Sequence, residues 1–345
     1  MRKFVAIAAA VALTAGCSLF GSDESGGTGD GKVVLVTHDS FEFDQAVFDK
    51  FKADTGITIE VRKSGDAGAL TNQLVLTKSS PIGDIAFGVD NTFASRALTE
   101  GVFAEYRSPE ADKGPQRFAI DDSGRLTAVD TGDVCVNIDP AGLAARGVAA
   151  PTTFEDLADP RFKDLLVVED PATSSPGLAF LLATVAQYGQ KDWQGYWNRL
   201  KDNGVKVVAG WEEAYTQEFS GSSGKGPRPL VVSYASSPSA EVDEAGKPRT
   251  AALLDTCFRQ VEYAGVLAGA KNTNGARKVL DLLISEAFQA KVPEKMYVYP
   301  AREGVALPAA WAVAPAPQSP ATLPAADIQA NRERWIEQWR TAVRG

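Results

Sequence analysis

The chain of 345 residues is poor in the residue types that most often carry chemistry. It has one histidine, His38, three cysteines and two methionines. A single imidazole weakens any hydrolytic triad, which needs a histidine base beside its nucleophile. The cysteines, Cys17, Cys135 and Cys257, form no Cys-x-x-Cys pair, so a zinc centre lacks ligands. No metal site and no cofactor are expected. Positive charge is also short: 35 Lys and Arg against 44 Asp and Glu leave a formal charge of −9. That balance argues against a nucleic-acid partner and against electrostatic binding to anionic lipid. Long apolar runs are missing too. The stretch from Phe4 to Leu13 falls short of the ~20 residues a spanning helix requires, and no later segment comes near that length.

What is present begins with a leader. Arg2 and Lys3 precede the apolar run, and Leu13-Thr14-Ala15-Gly16-Cys17 closes it. A basic start, a short apolar core and small residues before a cleavage point make a secretory signal over residues 1–16. The pentapeptide resembles a bacterial lipobox, and that resemblance makes Cys17 the lipid-modified first residue of the mature chain. The alternative is a plain signal with an incidental cysteine. Residues 17–31 read as the lipidated cysteine and a flexible tether rich in Gly and Ser. The expected location is extracytoplasmic, lipid-anchored to a bacterial cell membrane. Without Arg2 and Lys3 the remainder carries −11. In an oxidising compartment Cys135 and Cys257 can pair, although the distance between them is not legible in sequence.

Beyond the tether, strand and helix patterns alternate. Lys32 to Thr37 is apolar and β-branched. Gln45 to Asp54 has a helical face of Val47, Phe48 and Phe51 behind the N-cap candidate Asp44. Strand signals follow at 57–61, 85–87, 165–168, 205–208, 230–234 and 258–264. Helix signals follow at 69–78, 178–188, 212–219, 275–288 and 325–343. The pattern predicts α/β with largely parallel sheets. Ligands in such sheets sit beyond the carboxyl ends of the strands. That singles out the loops at 38–41, 64–68 and 88–91, although Asp and Ser after a strand can equally cap the next helix. The serines of Thr173-Ser174-Ser175-Pro176-Gly177 stand before a helix, where free N–H groups can hold an anion or amide. Trp335 and Trp339 share one face of the last helix and read as packing residues. No internal repeat is visible.

Six segments occur together in one order: Thr37-His38-Asp39-Ser40-Phe41, Gly88-Val89-Asp90-Asn91, Thr173-Ser174-Ser175-Pro176-Gly177-Leu178, Gly210-Trp211-Glu212-Glu213-Ala214-Tyr215, Ser233-Tyr234-Ala235-Ser236-Ser237-Pro238 and Tyr297-Val298-Tyr299-Pro300. Taken together, the chain resembles the thiamine-binding solute receptors of bacterial ABC importers, from about residue 33 to the Trp-Ile-Glu-Gln-Trp helix. The resemblance implies a two-lobe, type II periplasmic-binding-protein-like fold, each lobe a mainly parallel sheet flanked by helices. Residues 32–130 plus 262–345 would form lobe 1 and residues 131–261 lobe 2. Strands near 128–136 and 258–264 would cross between them, with Cys135 and Cys257 beside the hinge.

The resemblance also implies a site. The ligand would be thiamine or a thiamine phosphate, held between lobes and delivered to an ABC permease by a monomeric receptor that is not an enzyme. Trp211 and Tyr234 would offer ring faces to the thiazolium. Asp66 and Ala67 match an Asp-Gly pair that touches ligand, with alanine here in place of glycine. Ser174 and Ser175 suit the hydroxyethyl tail or its phosphate, and Ala235, Ser236, Ser237 and Pro238 form a cleft loop. His38 stands where relatives often have tyrosine, and Tyr297 where they often have tryptophan. Asp39 and Asp90 are carboxylate candidates that could instead only cap helices. Rival readings are a same-fold receptor for polyamine, iron or an organic anion, an extracellular thiamine-degrading enzyme using a cleft cysteine, and a lipoprotein that keeps the fold without a ligand.

Overall fold

The computed structural model describes residues 31–223 and 225–344. The leader, Cys17 and the tether as far as residue 30 lie outside the described residues. Among those described, no helix is long and apolar enough to cross a membrane.

Nine strands form one continuous sheet: β1 Lys32–Thr37, β2 Thr58–Lys63, β3 Ile85–Asp90, β4 Thr127–Ile138, β5 Leu166–Glu169, β6 Lys206–Val208, β7 Leu230–Tyr234, β8 Ala251–Val266 and β9 Tyr299–Pro300. Their order is β2-β1-β3-β8-β4-β7-β5-β6, with β9 on β4. The outer strands are parallel at both ends, β2-β1-β3 and β7-β5-β6. The centre is antiparallel, because β4 and β8 run beside each other through both halves. These two strands, of 12 and 16 residues, extend further than the apolar pattern indicates. Their polar residues Asp130, Asp133, Gln260 and Glu262 are buried rather than turned to solvent.

Helices start where the sequence offers caps. Asp44 accepts from Ala46 N–H at the start of Gln45–Thr55, and Gly56, in the left-handed region, ends it. Thr153 and Asp156 form a reciprocal capping box, as their spacing indicates. The helix expected at 178–188 runs instead from Ser175 to Asp202, broken at Gly189. Its first three turns, Ser175 to Val185, are buried on all sides. The final helix, Ala325–Arg344, lies against it. Trp339 meets Trp197 edge-on at 5.6 Å, and the indole N–H of Trp335 donates to Gln190 at 3.2 Å. On its other side Arg332 covers the ring of Phe93 at 5.5 Å and Gln329 donates to Thr99 at 3.1 Å. This helix therefore touches elements from both halves of the sheet.

Four residues of β8, Leu254 to Cys257, stand opposite the single Cys135 of β4. A disulfide joins Cys135 to Cys257, 122 positions apart in sequence, and beside it Arg259 pairs with Asp133 at 2.5 Å. Closing a loop of that length removes much unfolded-state entropy. The double substitution Cys135→Ser, Cys257→Ser is expected to lower stability by about 2–5 kcal/mol, read as a lower urea midpoint. An unchanged midpoint would mean that the bulge is held by its other contacts.

Candidate functional site

The cleft floor is a row of carboxylates set by strand register. Glu262 of β8 stands opposite Asp90 of β3 on one side and Asp130 of β4 on the other. Both neighbours reach that register through a one-residue bulge, at Gly88 in β3 and at Val129 in β4. A bulge re-aims the side chains beyond it, since a one-residue slip turns every residue to the other face. Gly88 is required at its bulge: its φ is +102°, and a Cβ there would lie 2.3 Å from the His38 ring.

The three acids differ in their partners. Asp90 accepts from Thr92 N–H at 3.0 Å, Phe93 N–H at 3.1 Å, the Thr92 hydroxyl at 2.7 Å and the Ser175 hydroxyl. Glu262 faces the cavity and accepts weakly from Gln260 at 3.4 Å. Neither oxygen of Asp130 meets a backbone N–H, hydroxyl or amide donor. Burial pushes the Asp90 carboxyl up to about 6, against its hydrogen bonds, and raises the Asp130 carboxyl, which titrates together with Glu262. Glu262 is raised well above the usual range by burial, then by its acidic neighbours. Among the described residues none of the three is ion-paired to Lys or Arg. The nearest base is His38, whose Nε2 lies 3.7 Å from Glu262. Burial, then Lys63, lowers His38 to about 4, so it is neutral at pH 7.

Aromatic rings wall a cavity of about 280 Å³ above this floor. That is near the small end of ligand pockets and suits a small organic molecule. Trp211 begins the short helix after β6. Tyr215 stacks on its indole at 4.9 Å, and the indole N–H donates to Ser233 at 2.9 Å. Tyr234 ends β7, 6.4 Å from Trp211. Its ring lies flat against Gly132 of β4, where a Cβ would come within 2.7 Å of it. Tyr297 sits in the left-handed region at φ +55°, and its carbonyl accepts from the Ser236 hydroxyl at 2.6 Å.

Asp66 joins the two sides of the cleft. It caps helix Ala67–Leu76, accepting from Ala67 N–H at 2.6 Å, and reaches across to Ser175 N–H at 3.2 Å and Trp211 N–H at 3.0 Å. Three helix starts thus converge on one carboxylate, a favourable place for negative charge. Burial still raises its pKa, opposed by those donors.

Of the residues singled out in sequence, His38, Asp66, Ser175, Trp211, Tyr234, Ser237 and Tyr297 line one cavity. The others do not. Asp39 is exposed and accepts from Gly65 N–H at 2.8 Å, tying two loops together. Ala67 is buried in the first turn of its helix. Ser174 is buried as an N-cap accepting from Gly177 N–H at 3.4 Å. Asp90 lies beside Glu262 with its oxygens occupied. Ala235 packs on the disulfide. Ser236 is spent on Tyr297, and Pro238 is buried in a short 3₁₀ turn. Sequence reasoning missed Glu262, Asp130 and Lys295, the last lining the cavity beside Met296. Glu262 shares its strand with Asp255, Arg259 and Gln260, so its charge alone did not single it out.

A sheet threaded twice by long strands, with a ligand-sized cleft across its centre, defines a two-lobe solute receptor. Over residues 80–330 the chain matches the bacterial extracellular solute-binding protein family, to which it belongs. It is 30% identical over 318 residues to the thiamine-binding periplasmic protein of Salmonella typhimurium, covering 90% of this chain and 93% of that one. The protein of the same name from Brucella melitensis is 29% identical over 321 residues, covering 90% and 92%. Among solved structures, a periplasmic thiamin binding protein superposes with TM-score 0.81 at 28% identity, over 90% and 96% of the chains. A ferric binding protein from Campylobacter jejuni, TM-score 0.69 at 16% identity over 90% and 99%, shares the fold.

The acidic row makes stability depend on pH with a definite sign. Asp90 and the Asp130–Glu262 pair are raised in the folded state, so their contribution is complete below the unfolded value near 3.8 and is lost as pH rises, through about 6 for Asp90 and higher for the pair. The melting temperature of the ligand-free protein is expected to fall between pH 5 and 9. Asp130→Asn should flatten the upper part of that slope. A profile that rises over this range would contradict the assignment.

Proposed function

We propose that the chain is an extracytoplasmic receptor that captures thiamine or a thiamine phosphate in this cleft and presents it to an ABC permease. The carrying observation is a cavity walled by Trp211, Tyr234 and Tyr297 over a carboxylate floor that lacks a Lys or Arg ion pair. A ring with a fixed positive charge complements both features. A cation over a desolvated aromatic face gains up to about 2 kcal/mol. Thiamine as ligand is supported by relatives that carry that name across nearly the whole chain.

In this reading residues 32–130 and 262–345 act as one jaw and 131–261 as the other, closing by a shift between two states that ligand biases. His38, Asp66, Ser175, Trp211, Tyr234, Ser237 and Tyr297 contact ligand. Ala67, Asp39, Asp90, Ser174, Ala235, Ser236 and Pro238 shape the cleft from behind. No cofactor takes part. Lipid on Cys17 holds the monomeric receptor at the membrane. Covalent chemistry on thiamine is disfavoured, because Cys135 and Cys257, the cysteines among the described residues, are consumed in the disulfide. Ferric iron is disfavoured as cargo, because among the described residues no cluster of His, Cys, Asp and Glu is placed to hold a metal ion.

Trp211→Ala is expected to weaken thiamine binding by about tenfold or more, or 1.4 kcal/mol, with unchanged circular dichroism. Calorimetry with thiamine, its phosphates and spermidine in parallel reads both affinity and ligand class. Unchanged affinity would remove the indole from the site. Tight spermidine binding with no thiamine heat would replace thiamine by a polyamine.

A further inference from the structure

We propose that the Glu262–Asp130 pair is the charge-selecting element of the cleft: it admits a permanently cationic ligand by exchanging it for a proton that the empty pair holds. The inference rests on the thiamine reading and goes further, naming the residue that selects charge and the ion that leaves.

The geometry carries the argument. Glu262 and Asp130 are register partners on adjacent antiparallel strands, which sets their Cβ atoms about 5 Å apart. Both are buried. Asp130 is the diagnostic member, since its oxygens meet no backbone or side-chain N–H and no hydroxyl. The group facing that carboxylate is the Glu262 carboxyl, and a proton between the two satisfies both. The two acids therefore share one proton when the cleft is empty, as close carboxyls do. Their raised titration follows from the same burial.

The other groups facing Glu262 leave this arrangement intact. Asp90, across β3, is already saturated with donors and adds negative charge. Asp66 adds more from the helix start. Tyr234 of β7 and Gln260 of β8 are neutral. His38 is neutral, and its Nε2 has no hydrogen bond. Lys63 acts on His38, Arg332 lies on the far side of Asp90, and Lys295 lines the outer cavity with Asp44 at 4.0 Å. Glu262 alone of the pair reaches the cavity. When a thiazolium arrives there, the carboxyl O–H bond breaks, the proton passes to solvent, and the pair becomes a dianion beside one cation. The buried charge is −1 before and −1 after, so the exchange adds no net charge to the interior. An uncharged ligand of the same shape offers no such compensation.

Calorimetry of the full chain at pH 7 in phosphate and in Tris tests this directly. The apparent binding enthalpy for thiamine should change with the buffer's ionisation enthalpy by about one proton released per ligand. Affinity should rise towards tenfold per pH unit between about pH 5.5 and 7.5. Asp130→Asn should abolish the buffer dependence. Glu262→Gln, which places a neutral amide where a neutral acid stood, should weaken thiamine by about thirty-fold or more. The same variant should change binding of 3-deazathiamine, an uncharged isostere, by less than about threefold, collapsing the wild-type preference for thiamine. Thiamine binding with equal enthalpy in both buffers overturns the proton exchange and leaves the receptor reading standing. Equal weakening of both ligands by Glu262→Gln overturns the charge selection. Absence of thiamine binding by the folded wild type overturns the receptor reading and this inference together.

Discussion

Ionised carboxylates are expensive to keep out of water, and this fold buries several of them side by side on its central strands. A lone charged acid in a low-dielectric interior is disfavoured by several kcal/mol or more. Placing three on adjacent positions of β3, β8 and β4 raises that cost by mutual repulsion. Packing alone would favour leucine or valine there, as at Val134, Val136 and Phe258 along the same two strands. The row is an electrostatic debt carried by an otherwise apolar sheet, of the kind that marks binding sites. The aromatic walls make the same point from the other side. They exclude water from Glu262 and strengthen any charge interaction made inside the cleft.

The strands that bear the acids also bear the connection between the two halves of the molecule. β4 and β8 pair along nearly their full lengths, so a change in the angle between the halves must be absorbed within them. The row lies at the bulges, where the ladder is already irregular. The disulfide and the Asp133–Arg259 pair lie further along, next to Ala235 and the loop after Tyr234. The last helix adds a third restraint. It carries Trp339 on to Trp197 and Arg332 on to Phe93, and it ends with Arg344 paired to Asp170 at 2.6 Å.

Much of this was legible in sequence, and the exceptions have physical reasons. Periodicity located β1, β7 and the last helix closely, because each buries one simple face or both. It could not show that β8 begins seven residues before Phe258. The first part of that strand is only half-buried, and the run Leu254 to Cys257 opposite Cys135 interrupts any alternation. Trp211 was identifiable as an edge residue by the glycine before it and the acids after it. Glu262 was invisible as a site residue because its importance arises from Asp90 and Asp130. Those reach it only through bulges at Gly88 and Val129, and single-strand patterns carry no information about register. Loop position does not say which way a side chain turns, and Asp39, Ser174 and Ser236 each spend their polar group on backbone, of Gly65, Gly177 and Tyr297. Ala235 shows the same limit, since its neighbour in space is a disulfide formed by residues 122 apart in sequence.

The sharing of this architecture with ferric binding proteins shows how little the backbone decides about cargo. A cleft between hinged lobes supplies concavity and closure, and the choice of ligand is left to the few side chains that line it. Here those side chains are indole, phenol and carboxyl groups, with the phenols held protonated by burial and the one imidazole held neutral. Such a set offers a metal ion few anionic ligands at neutral pH. It offers a diffuse organic cation two kinds of negative surface: the faces of the rings and the acid beneath them. In the proposed reading, rings and acid act on the same charge from different directions, which favours a flat cation over either a flat neutral molecule or a compact metal ion.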